Sequence, residues 1–377
     1  MDQRLGLYVH IPFCRRKCLY CDFCSRPNPD AEIMRRYASA VCNDLIRASE
    51  RCRGYTVDSI FFGGGTPTLL PIDAITSILD TAVRHYRISK DAEITAECNP
   101  ATGGASYFSA MRQIGFNRLS MGLQSTHDGE LAALGRIHSF ADFTQTLEEA
   151  RLAGFENIGA DLMFGIPLQT TESYLASIRR LAALAPTHIS AYSLTVEEDT
   201  PFGRMGDRLQ IPDDEAVREM YLRGIEELSR HGYRQYEISN FAKAGYESRH
   251  NLKYWNCDEY LGFGPAAYSD FGGARFGNSR DVDAYLNGAD IEAEREVPSP
   301  AQRKNEYAML RLRLCEGLLS DALEERFGED LEEAFGKKLA RYRSQGLTER
   351  TEHGWRFTPE GFAVSNAILS EILDFSE

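Results

Sequence analysis

The sequence of 377 residues lacks any excess of positive charge, with 42 Lys and Arg against 56 Asp and Glu and a formal net charge of −14. A surface that binds nucleic acid non-specifically neutralises phosphates with clustered Lys and Arg, so the composition argues against that class; Arg15, Arg16 and Lys17 form only a local patch. No apolar run is long enough to cross a bilayer, and no early apolar stretch flanked by basic residues resembles a secretion signal. A basic amphipathic anchor, a low-complexity tract and an exact repeat are likewise missing, which argues against stable membrane insertion. The expectation is a cytoplasmic protein. With 43% hydrophobic and 26% charged residues it can bury a sizeable core, and its length suits one large domain plus a smaller one.

Cysteine is scarce and unevenly placed. Four of nine lie in FCRRKCLYCDFC, Phe13 to Cys24, while Cys42, Cys52, Cys98, Cys257 and Cys315 are scattered and read mostly as small core residues. In a reducing compartment a cluster of thiols points to metal or catalysis rather than to disulfides. Cys14, Cys18 and Cys21 form CxxxCxxC directly after an expected strand. Three thiolates can hold three irons of a four-iron, four-sulfur cluster and leave the fourth iron open to an outside ligand. Four thiolates also suffice for structural zinc, although zinc ribbons usually draw their ligands from two separated pairs.

The periodicity alternates between strands and helices through the first half. LGLYVHIPF, VDSIFFGG, EITAECNP, RLSMGLQS, NIGADLMFGIP and HISAYSLTVEE read as strands, with amphipathic segments such as AEIMRRYASAVCNDLI and PIDAITSILDTAVRHY between them. Six such units predict an α/β fold with a parallel sheet curling into a full or partial (β/α)6 barrel, whose functional residues sit at the strands' C-terminal ends. The expected organisation is a barrel over residues 1–200, an α+β extension over 201–299 that completes the core, and a small helical, winged-helix-like module over 300–377.

CxxxCxxC with an aromatic, Tyr20, before the third cysteine resembles the signature of radical S-adenosylmethionine (SAM) proteins. Across nearly the whole chain the resemblance narrows to the oxygen-independent coproporphyrinogen oxidase group and, within it, to HemW-type haem chaperones. It implies a partial barrel with a [4Fe-4S] cluster on Cys14, Cys18 and Cys21. It also implies a SAM site on Tyr8 of YVHIPFC, Tyr20, Gly64, Gly65 and Thr66 of GGGTPT, Glu97 of ECNP, Gln124 of GLQS, Arg136 of LGRIHS and Asp161 of DLMFGIP. The glycines would let the backbone approach SAM closely, and the polar residues would hold its ribose and carboxylate. Taken singly, Glu97 or Asp161 reads better as a helix cap and Arg136 as a surface ion pair; together, at successive strand ends, they favour the ligand reading.

Three features separate chaperone from decarboxylase within the group. Cys14 arrives almost at once, without the longer leading segment in which the decarboxylases resemble one another. Phe23 stands where the decarboxylases carry a further cysteine, and Cys24 stands where the HemW type has Asn, so Cys24 is expected to be a free thiol near the cluster. Finally, RHNLKYW places His250, Asn251, Tyr254 and Trp255 in the HNxxYW pattern associated with haem binding; His10 and Cys257 remain alternative iron ligands, and a packed structural role for the motif remains open. The resemblance implies a haem chaperone serving haem-receiving proteins, with respiratory enzymes among them. The alternative is a coproporphyrinogen decarboxylase working by deoxyadenosyl radical chemistry.

Overall fold

A computed structural model describes residues 3–374. The chain opens with β1 (Gln3–Ile11), and the ends of the loop that follows pair in parallel, β2 (Phe13–Cys14) with β3 (Arg26–Pro27). There follow α1 (Ala31–Ser49), β4 (Tyr55–Gly64), α2 (Ile72–His85), β5 (Ile88–Cys98), α3 (Ala105–Ile114), β6 (Arg118–Gln124), α4 (Asp128–Ala133), α5 (Phe140–Leu152), β7 (Asn157–Phe164), α6 (Thr171–Ala183) and β8 (His188–Ser193). Side-chain caps start the helices where the sequence offers them: Asp30 accepts from Ile33 N at 2.7 Å, and Ser139 with Asp142 forms a capping box on α5.

Strands β1, β4, β5, β6, β7 and β8 lie in sequence order in one sheet and pair in parallel. The period of two along each strand divides two surfaces. Leu5, Leu7, Val9 and Ile11 of β1 are buried in the apolar core with Ile60 and Phe62 of β4 and helix residues such as Tyr37, Val41, Ile75 and Ile78. The alternate residues line the barrel's interior: Tyr8, Glu97, Arg118, Ser120, Asp161, His188 and Ser190 among them. A closed (β/α)8 barrel fills this space with branched apolar side chains. Here it is polar, and a chamber of about 750 Å³ runs through it.

After α7 (Asp214–Arg230) the chain returns to both edges of the sheet. β9 (Arg234–Gln235) and β10 (Asn240–Ala242) extend it antiparallel beyond β8. Then α8 (Arg249–Trp255) leads to β11 (Tyr260–Phe263), which pairs in parallel with β1 and so adds a seventh parallel strand. β12 (Tyr268–Phe271), β13 (Ala274–Asn278) and β14 (Glu292–Glu296) continue antiparallel outward. From Pro300 a helix with a Ser299/Gln302 capping box precedes further short helices and a three-stranded antiparallel sheet of Leu318–Leu319, Gly354–Phe357 and Thr348–Arg350. Trp355, Phe357, Phe362 and Leu339 bury this module's core, and Arg218 of α7 pairs with its Glu360.

Candidate functional site

The cysteine loop is fastened from several directions. Leu19 N donates to Leu134 O at 3.1 Å and Phe202 N donates to Leu19 O at 3.0 Å. Arg280, beyond β13, donates to the carbonyl and carboxylate of Asp22, and the Cys24 thiol donates back to Arg280 O at 3.4 Å. Cys14, Cys18 and Cys21 are free thiols that line the chamber, whereas Cys24 is buried outside that lining. The sulfurs have polar company: Thr66 Oγ1 lies 3.7 Å from Cys14 Sγ, Arg136 Nη1 lies 3.5 Å from Cys18 Sγ, and the Phe23 backbone N–H faces Cys21. Asn99 joins these donors, giving a hydrogen bond from Nδ2 to Thr66 Oγ1 at 2.7 Å and accepting from Arg136 Nη2 at 2.6 Å. Burial raises the Cys14 thiol and pushes Cys21 up to about 11. Among the described residues no three His, Cys, Asp or Glu side chains converge on one ion. The donor set therefore suits a cluster, with one thiolate per iron, better than a shared mononuclear ion.

Beneath the loop stand two half-buried carboxyls, Glu97 and Asp161. Burial, reinforced by Asp161, pushes Glu97 up to about 8, and burial likewise raises Asp161. Glu97 accepts from Gly64 N at 2.9 Å, and Ser120 approaches Asp161 at 3.4 Å. The glycine run has a cause within the fold itself, beside the one expected. A Cβ on Gly64, at φ +104°, would lie 2.4 Å from His10 Cε1, and a Cβ on Gly65 would lie 2.5 Å from Phe13 O. These positions are glycine because the protein's own His10 ring and cysteine-loop backbone occupy the space. Gln124 closes β6 at φ +73° after a shift in register and accepts from Tyr192 OH at 2.9 Å. Such a backbone costs about 1–3 kcal/mol and persists where surroundings enforce it.

The HNxxYW segment forms a wall of the same chamber. His250, on α8, is buried with Nδ1 2.8 Å from Ser59 Oγ and Nε2 2.8 Å from Tyr254 OH. It stacks on Phe61 with ring centroids 5.2 Å apart and meets Tyr254 edge-on at 5.1 Å. Burial, with Lys253 and Arg118 nearby, drives its protonation down to about 3, so the ring is neutral. Both nitrogens being engaged, an iron reaches them only by displacing a hydroxyl. His10 is similarly occupied: Nε2 donates to Cys24 O at 2.8 Å, which leaves Nδ1, 3.1 Å from Tyr8 OH, as acceptor. Every expected cluster, SAM and haem residue lines this one chamber except Trp255, which is half-buried outside it. Sequence reasoning passed over Arg118, and also Asn99 and Ser59, whose partners lie far away in sequence.

Comparison with known proteins agrees with this arrangement. Residues 8–181 match the radical SAM superfamily, and residues 299–364 match the HemN C-terminal domain. The Heme chaperone HemW of Bacillus subtilis (strain 168) is 35% identical, over 97% of this chain and 98% of its own. That of Escherichia coli (strain K12) is also 35% identical, over 98% of each. Coproporphyrinogen III oxidase (HemN) from Escherichia coli, a radical SAM enzyme, shares the fold with a TM-score of 0.87 at 23% identity, covering 99% of this chain and 91% of that one. The radical SAM domain implies a [4Fe-4S] cluster and SAM as cofactors. Similarity that runs from end to end at this level, on a domain that joins thiols, half-buried acids and the HNxxYW wall in one chamber, places the chain in the HemW family of radical SAM proteins.

Proposed function

We propose that this protein is a haem chaperone, which binds haem beside a SAM-ligated [4Fe-4S] cluster and hands it to haem-dependent proteins, respiratory enzymes among them, in the cytoplasm. The observation that carries the reading is the likeness to Heme chaperone HemW proteins over nearly all of both chains. Cys14, Cys18 and Cys21 hold the cluster, with Thr66 and Arg136 donating to the first two sulfurs. Tyr8, Tyr20, Gly64, Gly65, Thr66, Glu97, Gln124, Arg136 and Asp161 surround SAM; the acids accept from its hydroxyl and ammonium groups, and Arg136 receives its carboxylate. Bound SAM would supply a deoxyadenosyl radical, released with methionine when one electron from a reduced cluster breaks its sulfonium C–S bond. For a chaperone the protein's own part is retention: an aromatic wall of Tyr8, Phe61, His250 and Tyr254 suits one face of a porphyrin. The domain limits follow the chemistry, with 1–200 carrying the cluster, 201–299 the HNxxYW wall and 300–377 the capping module.

The test is an anaerobic haem titration of cluster-reconstituted protein followed in the Soret band. Saturable binding, and transfer of that haem to an apo haem protein, are the expected results. No saturable binding, together with turnover of coproporphyrinogen III, overturns the chaperone in favour of the decarboxylase.

A further inference from the structure

Below the acids of the chamber stands one full charge whose field reaches Glu97 and Asp161 but which no described side chain holds by a salt bridge or hydrogen bond. Arg118, the first residue of β6, is 1% exposed. Its side chain lines the chamber but forms neither a salt bridge nor a hydrogen bond with any described residue, and its Nε is wholly enclosed. A guanidinium cannot shed its proton in a protein, so enclosing it is unfavourable unless an anion or a set of acceptors meets it.

The register shows where it stands. Arg118 is level with Thr95 on one side and Asn157 on the other, whereas Glu97 is level with Ser120 and Asp161 with Gly122. The carboxyls therefore rise from positions about 7 Å and about 13 Å further along the strands, towards the cysteine loop. Ser190 and Asn240 stand level with Asp161, and His188 with Gly159, so the lining between the acids and Arg118 is uncharged on this side. His188 stays neutral because burial and Arg118 hold its protonation down. A ligand passing the acids thus meets a fixed guanidinium with its hydrogen-bond donors free, which is the recognition chemistry of a carboxylate. The HNxxYW wall reaches this depth too, since His250 Nδ1 bonds Ser59, two residues before Phe61.

Resting on the haem reading above, we propose that Arg118 is the receptor for a propionate carboxylate of haem, so that the porphyrin is held by its acid edge deep in the barrel while its face lies on the aromatic wall. This mode of binding leaves the hydrogen bonds of His250 intact.

The experiment compares haem with haem dimethyl ester, which lacks both propionate charges, on cluster-reconstituted wild type, Arg118→Gln and Arg118→Lys. Soret titration gives the affinities, while iron content and thermal unfolding check each variant. The expected result is that wild type prefers haem about tenfold or more, that Arg118→Gln binds both alike, and that Arg118→Lys recovers part of the preference. Wild type binding haem and diester equally, or Arg118→Gln keeping the preference, overturns the propionate receptor and leaves the haem reading standing. Absence of saturable haem binding by wild type overturns both. Should Arg118→Gln not fold, the wild-type comparison decides alone.

Discussion

Cys14, Cys18 and Cys21 line the chamber and Cys24 does not, a division that carries a direct prediction. Alanine at any of the first three is expected to lower iron and sulfide content and bleach the brown chromophore, whereas Cys24→Ala keeps both, as iron and sulfide assays will report. Glu97→Ala removes a half-buried acceptor from the chamber and is expected to weaken SAM binding by about 1–3 kcal/mol, measured by equilibrium titration. Their positions were legible because CxxxCxxC and ECNP are short motifs at the ends of expected strands, while their ligand roles came from the resemblance to radical SAM proteins. Asn99 shows the limit. It lies inside the quoted ECNP motif, but its value comes from Thr66 and Arg136, 33 and 37 residues away, and nothing local announces either contact.

Among the structural elements, the glycine turn after β4 does more than the sequence reading gave it. Gly65 donates its N–H to Ile11 O at 2.8 Å, and its missing Cβ leaves room for Phe13 O. Since the obstructing atoms are backbone, they cannot rotate away; Gly65→Ala is expected to destabilise the protein by about 1–3 kcal/mol and to lower cluster retention. Gly129→Ala on α4, where a Cβ meets nothing within 4 Å, serves as the control and is expected to be neutral or mildly stabilising in thermal melts. The six parallel strands and their helices were readable from periodicity because each is long and either buried or amphipathic. The sheet's outer additions were not: β9 and β10 have two and three residues, too few for a pattern to repeat, and their placement is decided by pairing with a strand some fifty residues earlier.

For the whole molecule, the polar interior gives stability a distinctive pH dependence. Burial raises Glu97 from 4.5 to about 8 and Glu237 from 4.5 to about 7, so the folded chain keeps protons that the unfolded chain releases. Their contribution is complete below pH 4.5 and is lost as pH rises through 7 to 8. His250, lowered from 6.5 to about 3, and His138, lowered from 6.5 to about 4, act oppositely: their contribution is present above pH 6.5 and is lost as pH falls towards 3 to 4. Above pH 6.5 only the acids' effect remains of these four. The melting temperature without SAM is therefore expected to fall between pH 6.5 and 8, and Glu97→Gln to flatten that fall in differential scanning calorimetry.

The pairing of β11 with β1 also bears on how the molecule is made. Gly6 pairs with Tyr260 and Val9 with Phe263, so the strand that leads into the cysteine loop keeps an open edge until the chain has been synthesised past Phe263. The Arg280 contacts that fasten the loop come later still. At elongation rates of about 5–20 residues per second, the nascent chain spends on the order of ten seconds or more with this wall of its barrel unbuilt. Assembly thus leaves the thiol loop open from this side first and closes that side last, so that in the finished fold the thiols are reached through the chamber they line.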